Sequence, residues 1–461
     1  MNSNLIDFAR SMQPRFADPS VDVVSSAAGL ASCFALGVRV RESFPELLTH
    51  FHRRLLHETV RWASRASPYY QRTLSGIDCG KTIISTDEFE SVPIITREDV
   101  SANIAEMRVP ECNFALATFT SGTTTGIQLI IDRCTEEQSY LNEFASSLSK
   151  PKWLKEKMFA MRLVTPWHGR VLQLPSVFEL VPVNVTTMSG LVTALNLLKR
   201  SYMWDGQERR IAALGGGLIS LRRLTKYLER TADKEALPRI STLHCTSEYV
   251  THSARRQLES FWGQPLIDRY GLSESVVGAW RCTKCQRYHF EPYGFPEVIP
   301  CGSERPVSEG VGRLIVTGYF PFVRTMPFIR YDTGDVVRLH PSGCPSGRPG
   351  FELLGRIGRS VLSGDDWVIG EYEIYDILDE FEHLERGPVQ KQFPEWLQDA
   401  GSFPLFRVEN DGPTWSLHVI VRHGRALEPS ASEQLRFDIR GLMEKRTGRP
   451  WNVCLSSGVE Q

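Results

Sequence analysis

Apolar positions in "FPELLTHFHRRLLHETVRWAS" recur at intervals of three and four, and they predict a helix within residues 43–74. "STDEFESVPIITREDV" (85–100) reads as an acidic-capped turn, a short extended piece and a new helix with Thr96 as its N-cap. From 115 to about 340, short β-rich runs alternate with helical patterns. "SARRQLESFWG" (253–263) is a helix closed by Gly263, whereas "PLIDRYG" (265–271) and "GRLIVTGYF" (312–320) read as strands. This alternation predicts an α/β domain. After "GFELLGRIG" (350–358) the texture changes to a helix over 374–384, a strand over 417–424 and a helix over 431–448. The expected organisation is a large α/β N-terminal domain, residues 1–355, followed by a small α+β C-terminal domain, residues 356–461.

The chain has 461 residues, 41% hydrophobic and 23% charged, with a formal net charge of -1. That balance provides no global field for nucleic acid or a membrane surface, and neither is expected as a partner. The most apolar early stretch, "SSAAGLASCFALGV" (25–38), is too short to span a bilayer and reads as a buried helix. Ten cysteines are too dilute for a disulfide scaffold. With no evident export signal, the expectation is a cytoplasmic enzyme with reduced thiols.

One loop changes this picture. "TFTSGTTTGIQ" (118–128) sets Thr120, Ser121, Thr123, Thr124 and Thr125 around Gly122 and Gly126, an arrangement suited to holding phosphate through hydroxyls and backbone N–H groups. It lacks the Gly-Lys-Ser/Thr ending of a P-loop, and "GIDCGKT" (76–82) is one residue short of that spacing. Downstream, in order, come "DRYGLSES" (268–275), "RYDTGD" (330–335) and "LGRIGR" (354–359). The ordered set resembles the adenylate-forming ligase superfamily, which includes acyl-CoA synthetases and peptide-synthetase adenylation domains. Within it the chain looks most like the phenylacetate–CoA ligase branch, to which "ASPYYQRTL", "ESVPIITREDV" and "LHCTSEYVTHSARRQLESFWGQPLIDRYGLSES" are also similar.

The resemblance implies an enzyme that joins a carboxylic acid to the α-phosphorus of ATP and passes the acyl group to CoA, a carrier-protein thiol or an amine. It implies that Thr120–Gly126 hold phosphate, and that Tyr270, with Asp268, Arg269, Gly271 and Ser273 around it, lies against adenine. Glu274 would ligate Mg²⁺, Asp335 would accept from the ribose hydroxyls, and Arg356 would reach the ribose or α-phosphate. Ser247 and Glu248 resemble a segment lining the adenine and acyl pocket. His168, in "TPWHGR", would orient the substrate carboxylate or later admit the acceptor, and "GGG" (215–217) would let backbone approach the acyl chain. Relatives continue the phosphate loop with Gly-x-Pro-Lys; Gln128 stands here instead of the lysine. Gly358 stands where relatives have a hinge aspartate. The stretch from 442 onward resembles the helix and strand that precede the relatives' catalytic-lysine segment; Lys445 falls in the helix and receives no catalytic role. The oligomeric state stays open, a homodimer being one option.

"RCTKCQRYHF" (281–290) carries Cys282 and Cys285 as C-x-x-C, with His289 four residues on, and Cys344 follows in "SGCPSGR". This set suits a tetrahedral structural zinc within 281–345, with Cys301 as the alternative fourth ligand. Some relatives place Cys and His here, completed by "CPCGR", whose second cysteine is Ser346 in this chain.

Overall fold

A computed structural model describes residues 45–78, 84–120, 129–137, 158–164, 178–204, 206–275, 277–291, 294–345, 347–387, 390–410, 414–422 and 427–457. The first element is helix α1 (Pro45–Ala66). The single helix expected within 43–74 is interrupted at Ser67: proline lacks the N–H that would continue the ladder, so Pro68 opens a separate short helix, Pro68–Thr73. Ser85 and Thr96 each close a capping box, with Glu88 and Asp99, and Thr96 thereby starts α2 (Arg97–Met107). Strands β1 (Phe114–Phe119) and β2 (Ile130–Cys134) form an antiparallel pair.

An alternating stretch follows. It runs β3 (Met158–Val164), β4 (Phe178–Asn184), α3 (Met188–Lys199), β5 (Ile211–Gly216) and α4 (Leu218–Thr231). It continues with β6 (Thr242–Thr246), α5 (His252–Trp262) and β7 (Leu266–Gly271). Gly263 ends α5 in the left-handed region, φ 66°, where a side chain would be strained. The strands β8 (Gly278–Arg281), β9 (Tyr288–Phe290), β10 (Gly294–Ile299), β11 (Gly310–Gly318), β12 (Tyr331–His340) and β13 (Gly350–Arg356) come next. The last labelled elements are α6 (Glu371–Leu378), β14 (Phe406–Asn410), β15 (Trp415–Val421), α7 (Pro429–Thr447) and β16 (Trp451–Ser457). Helix α6 stops at Leu378, short of the expected 384.

By internal contacts these elements fall into two units, each discontinuous along the chain. The first holds the described residues of Met1–Glu156 and Tyr270–Glu352; the second holds those of Lys157–Pro166, Ser176–Arg269 and Leu353–Gln461. The first unit is built on antiparallel pairs: β10 with β11, β11 with β12, and β8 with β9. The second contains the parallel series β4–β3–β5–β6–β7.

The second unit has two apolar clusters. One lies between the parallel strands and α3–α5 and includes Leu163, Leu214, Leu221, Leu243 and Leu258. The other joins α6, β15, α7 and β16 through Ile374, Leu378, Val419, Ile439 and Trp451. Each such side chain contributes about 1.5–3 kcal/mol on burial. Phe393, Leu397 and Ala400 lie late in the chain, yet they belong to the first cluster, among the parallel strands' helices.

Gly216 and Gly217 serve the protein's own packing. A Cβ on Gly216 would lie 2.8 Å from that of Leu163, and one on Gly217 would lie 3.0 Å from the Glu248 carboxylate. No helix among the described residues is long and apolar enough to cross a membrane.

Candidate functional site

In the first unit, the base of the Thr/Ser/Gly loop is tied to the segment that carries Glu274, just past the end of a strand. Thr120 exchanges backbone and side-chain bonds with Leu129, which closes the hairpin on either side of the loop. The Thr118 hydroxyl donates to Ser273 O at 3.2 Å. Arg133, buried on β2, donates to the carbonyls of Ser273 and Glu274 and holds that backbone from behind.

Glu274 is 8% exposed, and its Oε1 accepts from Arg97 at 3.1 Å and from the Tyr331 hydroxyl at 3.2 Å. Among the described residues Oε2 accepts no hydrogen bond. The other arm of the Arg97 guanidinium donates to Thr120 Oγ1 at 2.7 Å. One arginine therefore bridges the loop base and the carboxylate. Its position follows from local structure, because the Thr96 capping box makes Arg97 the first residue of α2.

Tyr270 and Asp335 meet in the same unit. The phenol donates to Asp335 Oδ2 at 2.7 Å while its ring stands edge-on to Phe351. Phe351 stacks in turn on Phe290 and Tyr288. Asp335 is fixed at the backbone by an N–H bond to Thr333 Oγ1, whose hydroxyl donates to Leu314 O.

Cys282, Cys285, His289 and Cys344 come together with their ligand atoms all within 4.8 Å of one another. A tetrahedral zinc with bonds of about 2.0–2.3 Å sets its ligand atoms about 3.5 Å apart, so the set needs only a small contraction. The first two cysteines sit in a knuckle: Cys282 N–H donates to Arg287 O, Lys284 N–H donates to Cys282 Sγ, and Gln286 takes φ +60°. His289 Nδ1 lies 2.8 Å from Pro349 O, which makes it the donor there and aims the Nε2 lone pair at Cys285 Sγ, 3.3 Å away. Cys301, the alternative ligand, stands outside this cluster.

In the second unit, Glu248 accepts from Ile219 N–H at 2.6 Å and so satisfies an orphan donor in the first turn of α4. Burial pushes its carboxyl up to about 7, against the pull of those N–H bonds and of Arg223. Ser247 beside it takes φ +80°, in the left-handed region. Asp268 is spent on a structural pair with Arg255 at 2.7 Å. Arg269 is the next residue of β7, and Arg356 ends β13. Burial, with Arg162 and Arg269 nearby, lowers His244 to about 4 and keeps it neutral. The residues Ser121, Gly122, Thr123, Thr124, Thr125, Gly126 and His168 lie outside the described residues, as does the stretch 25–38.

Sequence reading missed Arg97, Arg133 and Tyr331. Arg97 lies 177 residues from Glu274 along the chain, so no local pattern links them. The one available signal was its place directly after an N-cap, in a segment already singled out for its resemblance.

No protein-family model matches the chain. A curated relative, phenylacetate–coenzyme A ligase from Thermus thermophilus, is 24% identical over 350 residues, covering 71% of this chain and 73% of the relative. Among solved structures, 2-hydroxyisobutyryl-CoA ligase in its postadenylation state, with an acyl-AMP bound, superposes with TM-score 0.63 at 14% identity, covering 92% of this chain and 89% of that one. The same enzyme in its thioesterification state, with 2-HIB-AMP and CoA, gives TM-score 0.52 at 15% identity, covering 92% and 90%. The shared fold over most of the chain, the curated sequence relative and the ordered motifs agree in supporting a likeness to the adenylate-forming ligase superfamily.

Proposed function

We propose that the chain is an ATP- and Mg²⁺-dependent carboxylate ligase that forms an acyl-adenylate and transfers the acyl group to the thiol of CoA. The observation that carries this reading is the Arg97 bridge between Thr120, at the base of the hydroxyl loop, and Glu274. It sets a cation at the base of a loop whose lysine position holds Gln128, where a triphosphate needs one. Glu274, with Oε2 free of described partners and hard-oxygen chemistry, is fitted to hold Mg²⁺, which when bound neutralises the triphosphate. Arg133 keeps the Glu274 backbone in place. Tyr270 presents a ring to adenine, and Asp335 accepts from the ribose hydroxyls. Arg356 contributes a second cation toward the ribose or α-phosphate, and His168 orients the substrate carboxylate. Catalysis is then mainly positioning of two anions and neutralisation of their charge.

On the same reading, Cys282, Cys285, His289 and Cys344 hold a structural zinc ion, residues 356–461 form the small domain, and the enzyme is cytoplasmic. The test is exchange of labelled pyrophosphate into ATP across a panel of aromatic and aliphatic acids. Acid-dependent exchange, followed by thioester formation with CoA, is the expected result. Tight ATP binding with no exchange for any acid would instead make the chain a nucleotide-binding protein, and amide formation with an amine in place of CoA would replace the thiol acceptor.

A further inference from the structure

Cys112 stands just before β1, and Cys134 ends β2 opposite Phe114, so a thiol lies on each side of the hairpin that carries the hydroxyl loop. Separate anchors bring both to Arg324 and Thr325. Cys112 N–H donates to Val109 O, and Val109 N–H donates to Thr325 O at 2.8 Å. Cys134 N–H donates to Glu137 Oε2 at 3.0 Å, while Glu137 Oε1 accepts from the backbone N–H groups of Arg324 and Thr325. The two thiols are hydrogen-bonded to each other, and the Thr325 hydroxyl, with no other partner, stands beside both. Cys112 is half-buried and Cys134 is enclosed. The Arg324 guanidinium is held over the rings of Trp62 and Phe320, 5.0 and 5.4 Å from their centroids, and its buried Nε makes no hydrogen bond. Its charge is thus left for a thiolate. The hydrogen bond from Cys134, then Arg324, lower the Cys112 thiol below its usual value against burial and Glu137; the same bond, with burial, raises Cys134.

We propose that Cys112 and Cys134 form a dithiol site for hydrogen peroxide, whose reversible disulfide ties the two sides of the hairpin together and lowers adenylation. The Cys112 thiolate attacks one peroxide oxygen. An S–O bond forms, the O–O bond breaks, and the second oxygen takes up a proton and leaves as water. Sulfur gives two electrons to the peroxide. The Cys134 thiol then attacks the Cys112 sulfur: the S–S bond forms, the S–O bond breaks, and hydroxide leaves as water with the Cys134 proton. Two thiols and one hydrogen peroxide thus give one disulfide and two waters. The accessible, more acidic thiol fits the first step and the enclosed one the second. A disulfide sets its sulfurs about 2.05 Å apart, closer than hydrogen-bonded thiols, so Cys134 must shift. Its neighbour Arg133 holds the carbonyls of Ser273 and Glu274, and the shift therefore reaches the carboxylate of the site. The dithiol itself stands apart from the ligase reading; only its effect on adenylation rests on it.

The test adds hydrogen peroxide stepwise to the reduced full chain, alkylates the remaining thiols and maps the cysteines by mass spectrometry. The first product should be a peptide pair linked through Cys112 and Cys134, separated again by dithiothreitol. Pyrophosphate exchange should fall roughly tenfold as the link forms and recover when it is reduced. Cys134→Ser should stop at a sulfenic acid on Cys112, captured by dimedone, and Cys112→Ser should keep its exchange under the same peroxide. If Cys134→Ser does not fold, Cys134→Ala takes its place. Oxidation that begins at other cysteines while Cys112 and Cys134 are still alkylated overturns the dithiol, and so does sulfinic acid on Cys112 without a link. A linked pair with unchanged exchange overturns its effect on adenylation. A reduced protein with no exchange for any acid counts against the ligase reading, and the peptide map still decides the dithiol.

Discussion

Glu274 and Asp379 are both buried carboxylates set among arginines, yet their surroundings differ. Glu274 uses one oxygen for Arg97 and Tyr331 and keeps the other free of described partners. Asp379 spends both oxygens on Arg222, Arg386 and Thr251. The first arrangement leaves a lone pair available for a cation, while the second leaves none. Unspent hydrogen-bonding capacity, more than burial or the presence of arginine, separates the carboxylate fitted to a ligand from the carboxylate fitted to structure.

This contrast can be broken most severely at Asp379. Asp379→Ala leaves two guanidinium groups without their carboxylate in an enclosed site and should cost about 3–5 kcal/mol in denaturant unfolding. Because Asp379 sits below the ordinary value of 3.8, its contribution is present above about pH 4 and fades as pH falls through the lower folded value. The gap between native and variant should therefore close in acid. A variant as stable as the native protein at pH 7 would remove Asp379 from the structural role.

Glu274→Gln should behave in the opposite way. The melting temperature should stay close to native while pyrophosphate exchange falls on the order of 10²-fold or more, because the amide cannot neutralise a metal ion. Near-native exchange would dissolve the distinction drawn above. Treatment with a strong chelator should release about one zinc per chain and lower the melting temperature, because a metal held by preorganised ligands stabilises the fold around it; a metal-free protein with unaltered melting excludes the site.

A smaller effect sharpens the reading of Arg97. Thr96→Ala removes the α2 cap and should cost about 1 kcal/mol. It should also weaken Mg·ATP binding, measured by calorimetry, if the cap is what aims Arg97. Glu248 sharpens the comparison through pH alone. Its carboxyl is raised to about 7, so the native state loses stability relative to the unfolded chain as pH rises from about 4.5 to 7. Glu248→Gln should flatten that slope, and an unchanged pH profile of unfolding would show that Glu248 does not titrate in this window.

Much of the local structure was legible from the chain. The Thr96 cap, the Gly263 stop and the strand ending at Gly271 all depend on residues within a few positions of one another. The Cys282, Cys285, His289 and Cys344 set was legible because knuckle spacing constrains three of the four. What escaped depends on distant partners. Glu248 follows a motif position, but its carboxylate satisfies a helix start 29 residues earlier. Arg97 acquires meaning only through Thr120 and Glu274. The stretch 390–403 has no strong periodicity, and only the folded chain brings it against α4. The interleaving of the two units has no signature in hydropathy, because each crossing occurs within or beside an ordinary strand.

The late arrival of Phe393, Leu397 and Ala400 in the core of the parallel strands also bears on biosynthesis. The last of those strands ends at Gly271, but the core is not closed until roughly 130 further residues have been made, on the order of ten seconds of translation. During that interval the nascent chain presents leucine-rich helix faces to the cell. Such a chain is expected to depend on chaperones while still attached to the ribosome, and its soluble yield should fall when translation is accelerated or when chaperone supply is limited.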